Sequence, residues 1–325
     1  MRTGRLVRLV SRPAQRVPDP GDVELVEVDV QDPAPGEVLV RNLYMSIDPG
    51  ALLRMSDLSA LDIPHFETGE PLWSDAVGEV LESRCEGLAA GDLVWHRYGW
   101  RDYAVGEGCQ FRRLDPDAYP SLSHHLSFGV VAYIGVALAR IRPGDTVLVS
   151  SAAGGVGSIA GQIARLRGAG RVIGSVGSPD KVRFAVETLG YDAAFDYHDG
   201  IASQIGGELD VYFDSVGGEH LEAAIDALRP RGRIVMCGQT EQVRSGVPTG
   251  PRNMLTVVGK RLSIQGFYTF DHPELMPRFE EEFTRWVRTG QIVVPETVVD
   301  GLENGVDAAV GQLTGRFTGK VVLRF

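Results

Sequence analysis

Residues 146–166 read TVLVSSAAGGVGSIAGQIARL, and this stretch decides the fold. The apolar run that begins it predicts a buried strand, and the apolar spacing from Ser158 onward predicts an amphipathic helix. The turn between them fits G-x-G-x-x-G at Ala152, Gly154 and Gly157, with alanine replacing the first glycine. Gly154 would let the backbone approach a pyrophosphate, Gly157 would let the helix pack on the strand, and the helix N-terminus would attract the anion.

An isolated glycine-rich turn can also be purely structural. Here the motif closes one strand, opens one helix and precedes a second strand, RVIGSVG, so a dinucleotide site is the better interpretation. Strands and helices continue to alternate through AAFDY, LDVYFDSV, HLEAAIDALRP, GRIVMCG and a last strand over LSIQGFYTF. We therefore expect an α/β fold with a Rossmann doubly wound parallel sheet over residues 121–289.

The first 115 or so residues have a different character. Short β-rich segments such as ELVEVDVQ and GDLVWHRYGWRDYAV are separated by turn residues, which predicts an antiparallel, barrel-like unit. The chain returns to similar β-rich text near its end, in IVVPETVVDG and GKVVLRF. We expect a discontinuous first domain made of residues 1–120 and 290–325.

Composition excludes several classes of protein. The 325 residues are 43% hydrophobic and 23% charged, as in a soluble globular chain of about two domains, and the net charge of −11 repels nucleic acid and anionic lipid. Three scattered cysteines cannot form a disulfide framework or a cysteine-rich metal site, which favours a reducing cytoplasm. The opening MRTGRLVRLVSRPAQ lacks the apolar core of a signal peptide, and we expect no membrane segment.

The end of the second strand bears on coenzyme choice. An NAD site usually carries an acid there, but Gly177 is followed by Ser178 and Lys181, which suit a 2′-phosphate. Ser178 can equally be the N-cap of a helix that starts at Pro179, and both interpretations can hold. A cap does not explain a cation in the first turn, where the helix dipole disfavours it, so we predict NADP(H).

Several further motifs occur in one order along the chain: LYMSIDPGALLRM, VGSPDKVRF, FDYHDG, DVYFDSVGGEHLEAAI, GPRN and IQGFYTFDH. With the glycine-rich turn, they resemble the zinc-independent medium-chain dehydrogenase/reductases, in the group of leukotriene B4 12-hydroxydehydrogenase, prostaglandin reductase and alkenal and curcumin reductases. The resemblance implies a GroES-like β-barrel catalytic domain, a Rossmann domain and a homodimer. It also implies NADPH-dependent reduction of the carbon–carbon double bond of α,β-unsaturated ketones or aldehydes.

The resemblance also implies which residues contact the cofactor. Those expected along the pyrophosphate and at the adenosine end are Gly155, Val156, Gly157, Ser158, Ser178, Lys181 and Tyr197. Those expected along the ribose and nicotinamide are Ser215, Cys237, Gly238, Phe267, Tyr268 and Thr269. Ser215 replaces an asparagine of the family's NVGG, and Phe317 replaces the asparagine of NxGK.

The expected substrate pocket departs from the family pattern. Where relatives read DPYMR, residues 48–52 read DPGAL, so Gly50 replaces a tyrosine. An aliphatic residue within 239–243 replaces a second aromatic one. The loss of both rings predicts a wider pocket or a different substrate. The shape of the pocket depends on the segments 50–70 and 239–256.

We expect no metal. Ser74 and Asp75 stand where a zinc enzyme would carry His-Glu, and the adjacent His124 and His125 are poorly placed to converge on one ion. Hydrogen-bond donors would then polarise the substrate carbonyl, among them the ribose 2′-OH, a backbone N–H or a tyrosine phenol.

The sequence also suggests a proton donor for the reaction. Hydride would go to the β-carbon, and a proton would reach the α-carbon from water or a tyrosine, with Tyr268 ahead of Tyr44 and Tyr98. Tyr268 could instead be a strand residue packed in the core. The competing functions are an NADPH quinone reductase and a weakly catalytic NADPH-binding protein.

Overall fold

The computed structural model describes residues 2–13, 17–56, 63–247 and 250–325. The strands are β1 (Arg2–Leu9), β2 (Val23–Val30), β3 (Glu37–Ser46), β4 (Ala76–Ser83), β5 (Leu93–His96), β6 (Tyr103–Glu107), β7 (Arg112–Arg113), β8 (Thr146–Val149), β9 (Arg171–Val176), β10 (Ala193–Asp196), β11 (Leu209–Asp214), β12 (Leu228–Met236), β13 (Ser263–Gly266), β14 (Glu296–Asp300) and β15 (Lys320–Arg324). The helices are α1 (Pro49–Met55), α2 (Gly129–Ala139), α3 (Gly157–Leu166), α4 (Pro179–Glu187), α5 (Ile201–Gln204), α6 (Gly218–Ala227), α7 (Thr240–Ser245), α8 (Met254–Lys260), α9 (Met276–Arg288) and α10 (Gly305–Leu313).

The glycine-rich turn belongs to a unit formed by Phe128–Pro295 and Thr318–Lys320. Its six-stranded sheet has the order β10-β9-β8-β11-β12-β13, and every neighbouring pair is parallel. The chain runs outward from β8 through β9 to β10, then returns to the other side of β8 with β11. This reversal leaves a crevice at the carboxyl ends of β8 and β11, where open α/β sheets bind ligands. The predicted Rossmann sheet is confirmed.

The strands of this sheet are apolar because both faces are covered. Leu148, Ile173, Tyr212 and Ile234 are buried in one cluster with residues of α6. Helix α2 was not predicted. Its residues GVVAYIGVALA are apolar on every face, as expected for a buried helix.

The other unit comprises Met1–Ser127, Glu296–Phe317 and Val321–Phe325. Its larger sheet has the order β14-β15-β3-β4-β5-β7, and β6 also pairs with β3. One edge of β3 pairs with β4, while the other edge pairs first with β6 and then, from Tyr44 to Ser46, with β15. These pairs are antiparallel, and β1 and β2 form a separate antiparallel ribbon.

One expectation about local structure was wrong, and one helix of the first unit was not predicted. The strand predicted over residues 262–270 ends at Gly266, because Thr269–Asp271 form a 3₁₀ turn. The β-rich first unit also contains α1, which begins at Pro49 with the Asp48 carboxylate accepting a hydrogen bond from the Ala51 N–H at 3.1 Å. Within the described ranges, no helix is both long and apolar enough to cross a bilayer.

A polar cluster ties α2, the end of α3 and α9 together on one face of the nucleotide-binding unit. Glu282 accepts hydrogen bonds from the Tyr133 hydroxyl at 2.7 Å, from Arg278 at 3.1 Å and from Arg167. The Arg167 guanidinium also lies 5.1 Å above the rings of Tyr133 and Trp286. Burial acts to raise the pKa of Glu282, but the Arg167, Tyr133 and Arg278 hydrogen bonds outweigh it and lower that pKa to about 2.

We predict that Glu282→Gln lowers the free energy of unfolding at pH 7 by about 1–3 kcal/mol, because the arginines lose a charged acceptor. A carboxylate with a lowered pKa stabilises the fold above its ordinary pKa of 4.5, and this contribution fades as the pH falls toward about 2. Denaturant unfolding of both proteins from pH 7 to pH 3 measures the difference. Glu281→Gln, at a side chain that is 77% exposed, is the control. A pH-independent difference would contradict the charge argument.

Candidate cofactor site

The turn between β8 and α3 is held by close backbone packing. A Cβ at Gly157 would overlap the carbonyl oxygen of Ser151, and one at Gly154 would lie 2.7 Å from the Ser151 hydroxyl. Ser151 itself has a φ of 52°, a left-handed conformation that costs a non-glycine residue about 1–2 kcal/mol. The N–H groups of Ser158, Ile159 and Ala160 donate to the carbonyls of Gly154 and Val156. The Val156 and Gly157 N–H groups at the start of α3 have no backbone partner among the described residues.

Gly155 and Val156 complete this turn, and Gly155 packs closely against Phe128 and Lys320. A Cβ at Gly155 would lie 2.7 Å from the ring of Phe128 and 3.4 Å from Cα of Lys320. The Lys320 ammonium lies 4.0 Å from the centre of the same ring. Ser158, the second residue of α3, is fully buried, and its hydroxyl has no partner among the described residues.

Ser178, Lys181 and Tyr197 meet at the carboxyl ends of β9 and β10. The Ser178 hydroxyl accepts a hydrogen bond from the Lys181 N–H at 3.3 Å, so Ser178 is the N-cap of α4. Lys181 is half-buried, which lowers the pKa of its ammonium. The Tyr197 ring covers Gly177, where a Cβ would lie 3.0 Å from it. Both expected roles of this segment, helix cap and cation beside the adenosine end, are compatible with the geometry.

The ring of His220 packs against the ring of Tyr197. Its ring lies 5.2 Å from the Tyr197 ring in an edge-on contact, and its Nε2 lies 2.8 Å from the Ser175 hydroxyl. Burial lowers the pKa of His220 to about 4, so the ring is neutral at neutral pH.

The turn after β11 is organised by Asp214, a fully buried residue. One oxygen of its carboxylate accepts hydrogen bonds from the N–H groups of Val216 and Gly217, at 2.9 and 2.8 Å, and from the Tyr212 hydroxyl at 2.8 Å. Burial raises the pKa of this carboxyl despite these donors. The second Asp214 oxygen is buried and has no partner among the described residues. The Ser215 hydroxyl is also buried, and it lies within hydrogen-bonding reach of the Cys237 thiol.

The segment after β12 lies on this turn. The N–H groups of Cys237 and Gly238 donate to the Asp214 carbonyl at 2.7 and 3.2 Å. Burial raises the pKa of the Cys237 thiol to about 12, so it is a neutral S–H group at the site.

The residues after β13 alternate in direction. Phe267 packs inward, where a Cβ at Gly135 would lie 3.0 Å from its ring. Tyr268 is 40% exposed and stacks on Phe270, with ring centres 5.0 Å apart. The alternative of a core strand position for Tyr268 is wrong, because the strand ends at Gly266 and the side chain is exposed. Thr269 begins the 3₁₀ turn.

The remaining sequence candidates lie in the first unit. Phe317 lies beneath the Arg316 guanidinium, 4.6 Å from its ring centre. A Cβ at Gly50 would lie 2.7 Å from the Asp48 carboxylate that caps α1. Tyr98 stacks on Phe111 at 5.7 Å in the core of that unit. Residues 57–62 and 248–249 of the expected pocket segments lie outside the described residues.

The histidines and cysteines do not gather around one point. In the described part of the chain, no group of three or more His, Cys, Asp or Glu side chains is arranged to hold a metal ion. His124 Nε2 lies 3.8 Å from Glu296, whereas His125 Nε2 lies 3.2 Å from the Asp115 carbonyl. The two adjacent rings thus engage different partners.

The crevice residues fit a dinucleotide. Buried polar groups normally have partners, yet the Ser158 hydroxyl, one Asp214 oxygen and the Gln239 amide nitrogen have none among the described residues. These three groups lie in α3, at the end of β11 and in the segment after β12, where the glycine turn offers further donors. A ligand with phosphate and hydroxyl groups would satisfy such a set.

Sequence reasoning missed Asp214, Gln239 and Phe128. An acid at the carboxyl end of a buried strand, as in DVYFDS, is a usable signal for Asp214. Phe128 could not be recognised, because only the folded chain brings it against Gly155.

Two family models match the chain. One, described as the N-terminal domain of oxidoreductase, covers residues 5–114, and the other, described as zinc-binding dehydrogenase, covers residues 155–285. The NADPH-dependent curcumin reductase of Escherichia coli (strain K12) is 35% identical over 97% of this chain and 95% of its own length. The NADP(+)-dependent 2-alkenal reductase of Nicotiana tabacum is 33% identical over 94% of this chain and 93% of its own length.

Solved structures agree with these relatives. CurA from Vibrio vulnificus, solved in complex with NADPH, superposes with a TM-score of 0.90 at 34% identity, covering 98% of both chains. Solved quinone oxidoreductases are only 21–22% identical, a likeness that shows the fold alone. The chain belongs to the medium-chain dehydrogenase/reductase family, in the group of the alkenal and curcumin reductases.

Proposed function

We propose that the chain is an NADPH-dependent oxidoreductase that reduces the carbon–carbon double bond of α,β-unsaturated ketones or aldehydes. The observation that carries the proposal is a phosphate-binding turn whose neighbouring strand, β9, has no acid at its end, at Val176 and Gly177. Ser178 and Lys181 follow it at the start of α4. Relatives that match over nearly the whole length are a curcumin reductase and a 2-alkenal reductase, which supports the reaction class.

The residues that would hold NADPH are those of the crevice. The N–H groups of Gly155, Val156 and Gly157 would bind the pyrophosphate, aided by the Ser158 hydroxyl. Ser178, Lys181 and Tyr197 would bind the 2′-phosphate and adenosine. Ser215, Cys237, Gly238, Phe267 and Thr269 would line the nicotinamide half, and Phe317 would pack near it. The bound coenzyme supplies the hydride for the β-carbon of the substrate.

We propose Tyr268 as the catalytic acid. Its hydroxyl would donate a proton to the α-carbon as the double bond is reduced. Support comes from its exposure and from its stacking on Phe270, which fixes the ring without burying it.

We propose that no metal takes part, although one matching family model is described as zinc-binding. Ser74 and Asp75 offer a hydroxyl and a carboxylate where zinc catalysis would use imidazole or thiolate ligands. Hydrogen-bond donors would polarise the substrate carbonyl instead.

A homodimer is the expected assembly. β13 is the edge strand of the parallel sheet, and no strand of the described residues pairs with its outer edge. A strand of a second copy could pair there. Leu255, Val258 and Phe270, on α8 and in the segment after β13, are 82%, 72% and 71% exposed, an apolar surface that a second copy would cover. Sedimentation of the purified protein decides between dimer and monomer. The three free thiols suit a cytoplasmic location.

We predict that the purified protein oxidises NADPH with 2-alkenals and α,β-unsaturated ketones about tenfold or more faster, by kcat/KM, than with quinones. Loss of NADPH absorbance measures the rate, and mass spectrometry identifies the saturated product. A preference for quinones would favour the quinone reductase alternative. Tight NADPH binding without turnover across the panel would favour the weakly catalytic one.

We predict that Lys181→Ala weakens NADPH binding about 10- to 100-fold and leaves NADH binding nearly unchanged, because only NADPH carries the 2′-phosphate. Fluorescence titration of both coenzymes measures the two dissociation constants. Arg183→Ala, on the same helix at an exposed position, is the matched control. Equal weakening for both coenzymes would contradict a phosphate role for Lys181.

We predict that Tyr268→Phe lowers kcat about 100-fold while the dissociation constant of NADPH stays within about twofold. The removed hydroxyl is needed only for proton transfer, so the kcat loss should shrink as the pH falls and solvent acid increases. Tyr98→Phe, in the core of the first unit, should leave kcat unchanged. An unaltered kcat in Tyr268→Phe would assign the proton to water.

A further inference from the structure

Two of the three cysteines lie at equivalent positions in the first unit, just beyond the ends of two strands. β4 ends at Ser83 and is soon followed by Cys85, and β6 ends at Glu107 and is soon followed by Cys109. Both strands pair antiparallel with β3, one on each of its edges. The sheet therefore brings both cysteines to the start of β3, although they are far apart in the sequence.

Gly36, immediately before β3, holds the two chain segments together. Its N–H donates to the Arg84 carbonyl at 2.8 Å, and its carbonyl accepts from the Gly108 N–H at 3.0 Å. It has a φ of 90°, a left-handed conformation that glycine adopts without strain. The residues next to Cys85 and Cys109 are thus hydrogen-bonded to the same glycine.

The backbone before Cys109 packs directly on the Cys85 thiol. A Cβ at Gly108 would lie 2.5 Å from Cys85 Sγ and 3.0 Å from Cys85 Cβ. In a disulfide the two Cβ atoms lie about 3.8 Å apart. Cys109 is the next residue of the same 3₁₀ turn, Gly108–Gln110, so the approach that a disulfide needs is already made by its neighbour.

Both thiols are accessible from one cavity. Cys85 and Cys109 line the same surface cavity of about 370 Å³, in which Cys85 is half-buried and Cys109 is exposed. The Cys109 S–H donates to the Glu107 carboxylate at 3.7 Å, and the Ser83 hydroxyl lies 3.6 Å from Cys85 Sγ. A small oxidant in solution can therefore reach both sulfurs.

The charge of the cavity selects the partner of an oxidised thiol. Glu37, Glu86 and Glu107 line it, and none of its described lining residues is basic. Carboxylates at this distance repel anionic thiols such as glutathione. An oxidised Cys109 would react instead with Cys85, which is already present in the cavity and brings no net charge.

We propose that Cys85 and Cys109 form a reversible disulfide when the protein is exposed to hydrogen peroxide. Peroxide oxidises the Cys109 thiol to a sulfenic acid and is itself reduced to water. The Cys85 sulfur then bonds to the Cys109 sulfur, and the sulfenic oxygen leaves as a second water with the Cys85 proton. In sum, two thiols and one peroxide give one disulfide and two waters, and a dithiol reductant restores both thiols.

The test is oxidation of the purified full-length chain with excess hydrogen peroxide, followed by iodoacetamide, which blocks any thiol that remains free. Intact mass spectrometry counts the blocked thiols, and peptide mapping without reductant identifies the linked pair. We expect a bridge between Cys85 and Cys109 that lowers the mass of the unblocked chain by about 2 Da and that dithiothreitol reverses. A bridge to Cys237, a bridge between two chains, or sulfinic or sulfonic acid in place of a bridge would overturn the inference.

Three variants and one change of solvent complete the experiment. Cys85→Ser and Cys109→Ser should each abolish the bridge, and in Cys85→Ser the sulfenic acid of Cys109 should persist and be trapped by dimedone. Cys237→Ser, in the other unit, should form the bridge at the rate of the unsubstituted chain.

The folded chain should form the bridge about tenfold or more faster than the chain in guanidinium chloride, because only the fold brings the two thiols together. Equal rates would mean that the pairing does not depend on the fold, and the inference would fail. The experiment requires no coenzyme, so its failure would leave the proposed function unaffected.

Discussion

The rest of the nucleotide-binding unit depends on one steric constraint, the contact of Gly157 with the carbonyl oxygen of Ser151. Any side chain at residue 157 would push the start of α3 away from the end of β8 and displace the N–H group of Gly157 itself. A side chain is also excluded at Gly154 by the Ser151 hydroxyl and at Gly155 by the Phe128 ring. The strained φ of Ser151 persists because these contacts leave the turn no other path.

The polar side of the crevice is built on a different principle. Asp214 gathers two backbone N–H groups and the Tyr212 hydroxyl on a single oxygen, which fixes the turn after β11 without any outside partner. Around it, the Ser158 hydroxyl and the Gln239 amide nitrogen are buried and have no partner among the described residues. Satisfied groups therefore set the geometry of the turn, while the unsatisfied ones keep hydrogen-bonding capacity for a ligand.

Sequence reasoning reached the sheet and the phosphate turn because their signals are local. The apolar runs of β8, β9 and β11 and the glycines at 154 and 157 restrict the backbone wherever they occur. It failed for α2, whose apolar residues have no periodicity, and for the end of β13, where FYTF has strand propensity but turns at Thr269. Phe128 was beyond its reach, because its contact with Gly155 joins residues that are distant in the chain.

The protonated state of Cys237 has a chemical consequence for an enzyme that handles conjugated aldehydes and ketones. Such electrophiles alkylate thiolates, and a thiol in the reaction crevice would be the first target. Burial raises the pKa of the Cys237 thiol to about 12, so the thiol stays protonated at neutral pH and its nucleophilicity is suppressed. Adducts would accumulate instead on the exposed Cys109, and the catalyst would be spared inactivation by its own reagent.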